Sequence, residues 1–179
     1  RRGCLTIARR SGSIEHHFSI LISSVHCREQ TMYEHLLVPI DGGDLSDKAI
    51  EHSIGLAKML GARITGFTVE WPLPLLMGDP GAVAFTAETV NEHQKQSEEH
   101  ARKLLKAFGE KAMDAGVPFD GQFMITDQVA HAVVDMAKRL ECDLIVMATH
   151  GRHGLDALLN GSLTKSVLSH SEIPLLVIH

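Results

Sequence analysis

Residues 143–164 read DLIVMATHGRHGLDALLNGSLT, and this stretch decides the fold. Its first part, Leu144 to Ala148, is a short apolar run typical of a buried parallel strand. Gly161 and Ser162 resemble a helix N-cap and precede apolar residues at helical spacing. A strand, a glycine-rich crossing and a helix N-terminus present backbone N–H groups and a positive dipole end to an anion. The stretch therefore predicts a phosphate-binding loop.

The glycines of this loop support the same prediction. A backbone that brings several N–H groups onto one phosphate usually needs positive φ angles and no Cβ atom, which Gly151 and Gly161 can supply. Ser162 and Thr164 add hydroxyl donors. The loop is not of the Walker A type, because Gly161 is followed by Ser162 rather than Lys, and the chain contains no GxGxxG. On local pattern alone, a surface loop that uses glycine for turns remains the alternative.

Composition and charge exclude several classes of protein. The chain has 179 residues, 44% of them hydrophobic and 22% charged, which is ordinary for one globular domain. A net charge of −5 disfavours a nucleic-acid surface. No apolar stretch approaches the roughly 20 residues of a membrane span. Cys4, Cys27 and Cys142 lack CxxC spacing, which argues against a zinc site or a disulfide framework. We therefore expect a cytoplasmic protein.

The first 31 residues differ from the rest of the chain in charge. They contain five arginines and two glutamates, whereas the remainder is acidic. The composition changes at Met32, the first methionine, which directly precedes the first convincing strand. A signal peptide is the alternative, but the apolar run is short, contains Ser and lacks an A-x-A site. We interpret residues 1–31 as an appended or poorly ordered leader and residues 32–179 as the domain.

The rest of the chain alternates strand and helix patterns. The predicted strands cover residues 36–41, 63–69, 119–125, 143–148 and 173–178. The predicted helices cover residues 47–60 with Ser46 as N-cap, residues 86–115, a segment from Thr126 or Asp127 to Leu140, and a segment after Gly161. The polar first half of the second helix predicts fraying or a break. Repeated βα units imply a parallel sheet with helices on both faces and a ligand beyond the carboxyl ends of the strands.

Residues 32–179 resemble a known family, the universal stress proteins of the UspA type. The ATP-binding form of that family carries a G-x2-G-x9-G-[ST] pattern. Here Gly151 is followed by nine residues and then by a second Gly and a Ser, while Ala148 stands where the pattern has its first Gly. The sequence VPID at residues 38–41 matches the opening motif of the family. The resemblance implies an open five-stranded parallel sheet of order 3-2-1-4-5, in a Rossmann-like α/β fold similar to the adenine-nucleotide alpha hydrolases.

The resemblance also implies which residues form the site. Pro39, Ile40 and Asp41 would contact the adenosine, although Asp41 has a second interpretation as a cap of the turn that follows it. The base would be framed by Val69 and Met147. The phosphates would be held by Gly151, Gly161, Ser162, Leu163 and Thr164. The same cofactor-binding set also includes Ala148 and Arg152.

The implied function is binding of ATP, with Mg²⁺, by a cytoplasmic stress-response or signalling protein whose nucleotide state regulates its conformation or partners. Any hydrolysis would be slow, because no Lys, catalytic acid or arginine finger is evident in the sequence to stabilise a transition state. The alternative is a nucleotide-independent homodimeric interaction module of the UspA subtype. An enzyme of a related hydrolase fold is disfavoured because its additional catalytic elements are absent from the sequence.

A homodimer is expected as well. The terminal strand, from Leu175 to Ile178, is too apolar to remain exposed at the edge of a sheet. The resemblance implies the same assembly. A regulatory protein partner is expected in addition, whereas nucleic acid and a membrane are not expected as partners.

Overall fold

A computed structural model describes residues 32–73, 86–148 and 163–178 of the chain. Predictions that concern other residues, including the leader and most of the glycine-rich loop, lie outside this described part. The described strands are β1 His35–Pro39, β2 Arg63–Glu70, β3 Phe119–Ile125, β4 Leu144–Ala148 and β5 Leu175–Ile178. The described helices are α1 Asp44–Leu60, α2 Ala87–Asp114, α3 Val129–Arg139 and α4 Leu163–His170.

The five strands form one parallel sheet of order β3-β2-β1-β4-β5, which confirms the predicted fold and topology. Side chains alternate across the sheet because successive residues of a strand point to opposite faces. Leu36 and Val38 pack in a core cluster with residues of α1 and α2, whereas Leu37 and Ile145 pack in a second cluster with residues of α3 and α4. Because helices cover both faces of the sheet, the central strands are apolar on both sides.

The start of α1 differs from the prediction. Gly43, rather than Ser46, is the N-cap, and the helix begins at Asp44. Ser46 lies in the first turn, where its Oγ donates to Asp41 Oδ1 over 2.7 Å and accepts from the Asp41 backbone N–H over 2.9 Å. These bonds fold the chain back directly after β1, so the helix forms earlier than the cap pattern indicates.

The predicted break in the first half of α2 is also wrong, because α2 runs continuously from Ala87 to Asp114. The Thr86 side chain accepts a hydrogen bond from the Thr89 backbone N–H and caps the helix. Polar pairs four residues apart, such as Gln96 with Glu92 at 3.0 Å, support its exposed turns. Among the described helices, including this longest one, none is both long and apolar enough to cross a bilayer.

The N-terminal ends of β1 and β4 are clamped together by Asp143. Its Oδ2 accepts from the Glu34 backbone N–H over 2.7 Å, and its Oδ1 accepts from the His35 backbone N–H over 3.0 Å. The Asp143 backbone N–H donates in turn to the His35 carbonyl over 3.0 Å. One carboxylate thus fixes the register of the two central strands at the point where they begin.

Replacing Asp143 tests this clamp. Asp143→Asn should lower the free energy of unfolding by about 1–3 kcal/mol, because the new amide group places an N–H₂ donor against a backbone N–H donor. Urea denaturation would measure the loss. Asp135→Asn on the exposed side of α3 makes the same chemical change and should alter stability by less than about 0.5 kcal/mol. Equal stability of the two variants would contradict the clamp.

Candidate functional site

A cavity of about 280 Å³ lies where β1 and β4 end. Its walls come from six parts of the fold: the end of β1 with the turn after it, the end of β4, the second half of β2, and the N-terminal turns of α1, α3 and α4. The lining residues are Pro39, Ile40, Asp41, Leu45, Ser46, Ala49, Phe67, Val69, Val129, Val133, Met147, Ala148, Leu163 and Thr164.

The topology of the sheet explains this position. The chain proceeds from β1 towards β3 on one side of β1, and β4 and β5 are added on the other side, so the strand order reverses between β1 and β4. The register of this pair joins Leu36 to Leu144 and Leu37 to Ile145 near the N-terminal ends. A crevice opens beyond the carboxyl ends of strands at such a reversal, which is where open α/β sheets bind ligands.

Asp41 holds the turn that forms one wall of the cavity. Its Oδ1 accepts from the Gly43 backbone N–H over 2.9 Å as well as from Ser46 Oγ. Gly42 takes a positive φ of 77°, which a residue with a side chain rarely adopts, and a Cβ atom there would lie 2.9 Å from Leu104 Cδ2. Asp41 therefore caps the turn and presents its exposed carboxylate at the cavity. The hydrogen bonds show the role of Asp41 as a cap of the turn, and its contact with a ribose stays a prediction.

The structure brings together every predicted site residue that it describes. These are Pro39, Ile40, Asp41, Val69, Met147, Ala148, Leu163 and Thr164, and all of them line the cavity. The other four predicted residues, Gly151, Arg152, Gly161 and Ser162, lie outside the described residues. Ala148 and Leu163, the two described residues that flank this part of the chain, both contribute to the cavity wall.

Six lining residues were not predicted as site residues. Five come from the helices, namely Leu45, Ser46, Ala49, Val129 and Val133, and the sixth is Phe67 of β2. Phe67 could have been found from strand alternation, because it lies two residues before Val69 and points to the same face. The sequence pattern assigns the helix residues to turn, cap or core positions, and it gives no sign that the N-terminal turns of α1 and α3 border the same cavity.

The described part of the cavity lining carries few polar groups. This lining is mostly apolar and carries one carboxylate, Asp41, with the hydroxyl groups of Ser46 and Thr164. It includes no Lys, Arg or His among the residues that the structure describes. Within the same residues, no group of three or more His, Cys, Asp or Glu side chains could hold a metal ion. The described walls suit an uncharged ring that carries hydroxyl groups.

Perturbed pKa values occur at the opposite end of the sheet. The His35 ring nitrogen Nε2 lies 2.8 Å from Thr65 Oγ1 and 3.6 Å from Cys142 Sγ, and all three side chains are buried. Burial raises the pKa of the Cys142 thiol to about 12. Burial also lowers the pKa of His35, and the charge of Arg63 lowers it further. The thiol is therefore protonated at neutral pH and is no nucleophile, so this cluster belongs to the core.

The sequence profile of the universal stress protein family matches residues 32–179. The chain therefore belongs to the universal stress protein family. Its relatives include Universal stress protein MJ0531 of Methanocaldococcus jannaschii, which is 27% identical over 88% of this chain and 89% of its own length. Universal stress protein A homolog 1 of Coxiella burnetii is 32% identical over 76% of this chain and 89% of its own length.

Solved structures of the same family share the fold. A universal stress family protein from Burkholderia pseudomallei superposes with a TM-score of 0.63 at 22% identity, covering 83% of this chain and 97% of its own. A universal stress protein in complex with cAMP superposes with a TM-score of 0.59 at 20% identity, and the match covers 82% of this chain and 97% of its own. An Arabidopsis thaliana family member with AMP bound superposes with a TM-score of 0.55 at 15% identity, and the match covers 81% of this chain and 90% of its own. At these identities the likeness establishes the architecture.

The lowered pKa of His35 predicts a pH dependence of stability. The unfolded chain takes up a proton on this side chain near pH 6.5 while the folded chain resists it, so stability present above pH 6.5 is lost as the pH falls towards the folded pKa. Asp143 and Asp120 oppose the shift but do not reverse it. His35→Gln should therefore cost less stability at pH 5.5 than at pH 8. Urea denaturation of both proteins at the two pH values would measure this, and a cost independent of pH would contradict it.

Proposed function

We propose that this protein binds an adenine nucleotide, foremost ATP with Mg²⁺, with the base and ribose in the cavity between β1 and β4. The observation that carries the proposal is the cavity itself. It lies at the reversal of strand order, has apolar walls and an acidic rim, and adjoins both ends of the chain segment that carries the predicted phosphate motif.

The size and lining of the cavity fit the nucleoside part of such a ligand. Sites for small molecules usually measure about 300–1,000 Å³, so 280 Å³ accommodates a base with its sugar rather than a complete triphosphate. The partly exposed Val69 and Val129, with the more deeply buried Met147, supply apolar surface for the faces of the base. The Asp41 carboxylate can accept hydrogen bonds from the ribose hydroxyl groups, because an ionised carboxylate is an acceptor only.

The phosphates would extend towards α4. This helix begins at Leu163, and Leu163 and the buried Thr164 line the cavity, so the positive end of the helix dipole faces the ligand. The predicted contacts of Gly151, Arg152, Gly161 and Ser162 would complete the phosphate site. Magnesium would be held mainly by phosphate oxygens and water, since Mg²⁺ rarely uses a cage of protein ligands alone. The described residues provide no such cage.

The comparisons support this proposal at the level of the fold. Two structures with the same architecture carry adenine nucleotides, namely cAMP in one and AMP in the other. Function depends on the residues of the site as well as on the fold. The residues that line the cavity here provide the separate, local argument.

The biological role that fits such a site is regulation. Neither a catalytic base nor a cation that could stabilise a transition state lines the described cavity, so any ATP hydrolysis would be slow. We place the protein in the cytoplasm as a stress-response protein whose nucleotide state changes its conformation or its protein partners. The alternative, a homodimeric interaction module that needs no nucleotide, is favoured by the apolar edge of the sheet at β5.

The Asp41 carboxylate provides a sharp test of nucleotide binding. Asp41→Asn should weaken ATP binding by roughly tenfold, because a neutral acceptor is about half as strong as a charged one. Removing a negative charge near an anionic ligand would by itself tighten binding, so the expected sign is opposite to that of simple electrostatics. Isothermal titration calorimetry with MgATP would measure the change.

Asp44→Asn is the matched control for that experiment. Asp44 lies in the first turn of α1, close in sequence to Asp41 but not among the cavity residues, so this variant should bind as tightly as the wild type or slightly more tightly. Melting curves would establish that both variants remain folded. Unchanged or tighter binding by Asp41→Asn would remove the ribose contact from the proposal.

We also propose that the protein forms a homodimer through β5. This strand lies at the edge of the sheet, and Leu176 remains 40% exposed on it. A groove between β5 and α1 is lined by apolar residues that include Leu56 and Val177, and by Met59, which is 80% exposed. An edge strand with unpaired backbone groups and apolar neighbours is suited to pairing with a second copy of itself.

Val177→Lys should shift this dimer towards monomer, because the charge would be buried at the contact. Sedimentation velocity should show wild-type protein near twice the chain mass of 19.6 kDa and the variant near the chain mass. Met113→Lys, at an exposed position near the end of α2, introduces the same charge and should leave the dimer intact. A wild-type protein that sediments as a monomer at all concentrations would refute the proposal.

A further inference from the structure

Trp71, the only tryptophan of the chain, lies exposed directly after a strand that contributes to the cavity wall. It directly follows β2, whose last residue is Glu70, and 64% of its surface is exposed. A tryptophan side chain can bury about 150–250 Å² of surface, so most of a large aromatic face remains in contact with solvent here. Val69, two residues earlier, is part of the cavity wall. This residue has no role in the predicted site.

The direction of the Trp71 side chain follows from the alternation along β2. The Glu70 side chain points towards α2, where its Oε1 lies 2.7 Å from His100 Nδ1. Phe67 and Val69 point to the other face of the sheet, where they join the core cluster under α3. Trp71 continues the series of Phe67 and Val69. The alternation extends to it because Pro72 follows, and a residue before proline is restricted to extended conformations.

The backbone next to Trp71 is held in place by strand pairing. The ladder between β2 and β3 reaches the last residue of β2, where Glu70 pairs with Ile125. The Thr126 backbone N–H then donates to the Glu70 carbonyl over 2.9 Å. The backbone is thus paired up to the residue before Trp71. The Trp71 side chain has only two torsions to fix, so ordering it on a ligand costs little conformational entropy.

We propose that Trp71 stacks on the base of the bound nucleotide and closes the outer side of the cavity, whose inner wall includes Phe67 and Val69. This inference rests on the proposed nucleotide site. Stacking between an aromatic side chain and a base depends on the π faces of both rings, so Trp71 contributes affinity for the base irrespective of the phosphates. The choice among bases belongs to hydrogen bonds elsewhere in the cavity.

Fluorescence tests this assignment directly, because all tryptophan emission comes from Trp71. Titration of the full chain with MgATP should quench the emission with the same dissociation constant that calorimetry gives. Trp71→Leu, which keeps apolar bulk but has no π face, should weaken the binding of ATP and of AMP by the same factor, roughly 5- to 100-fold. Trp71→Phe should lose less nucleotide affinity than Trp71→Leu, since phenylalanine retains an aromatic face. Met113→Leu, another exposed position, should bind like the wild type.

The outcomes separate this inference from the function on which it rests. If the wild type gives binding heat but Trp71→Leu binds both nucleotides as tightly as the wild type, the stacking role is overturned and nucleotide binding stands. A loss confined to ATP would also overturn it, because stacking on the base must act on AMP equally. If the wild type gives no binding heat with ATP or AMP, both proposals fail together.

Discussion

The pairing of β1 with β4 is the constraint on which the rest of the structure depends. At the N-terminal end, Asp143 bonds the backbone of Glu34 and His35 and fixes the register of the two strands. At the C-terminal end the strands lead into separate parts of the fold, the turn of Asp41 and the segment after Ala148. A cavity forms beyond their carboxyl ends because the strand order reverses between β1 and β4.

This arrangement divides stability and binding between the two ends of the sheet. The buried His35, Thr65 and Cys142 lie at the closed end, and their shifted pKa values have a structural cause, since burial dominates both shifts. The exposed Asp41 and Trp71 lie at the open end, where a ligand can reach them. A perturbed pKa often marks a functional site, but here it marks the core, and the candidate site is recognised by shape and topology instead.

The sequence predicted the architecture well because each central strand is an apolar run and each is followed by a helical pattern. The order of the strands came from the family resemblance, which also identified the described cavity residues except those of α1 and α3 and Phe67. Local patterns failed where tertiary contacts decide. The Asp41–Ser46 bonds move the start of α1, and the walls formed by Ala49 and Val133 depend on how helices pack over the sheet.

The central claim is that the base of an adenine nucleotide occupies the cavity between β1 and β4. Methyl NMR of the labelled protein during titration with MgATP tests it most directly. The account predicts saturable shifts at the cavity methyl groups of Ala49, Val133 and Met147, and little change at the buried Ala112 and Val117, which do not line it. Saturable shifts that leave those three cavity residues unchanged, or no shifts at all, would contradict the account.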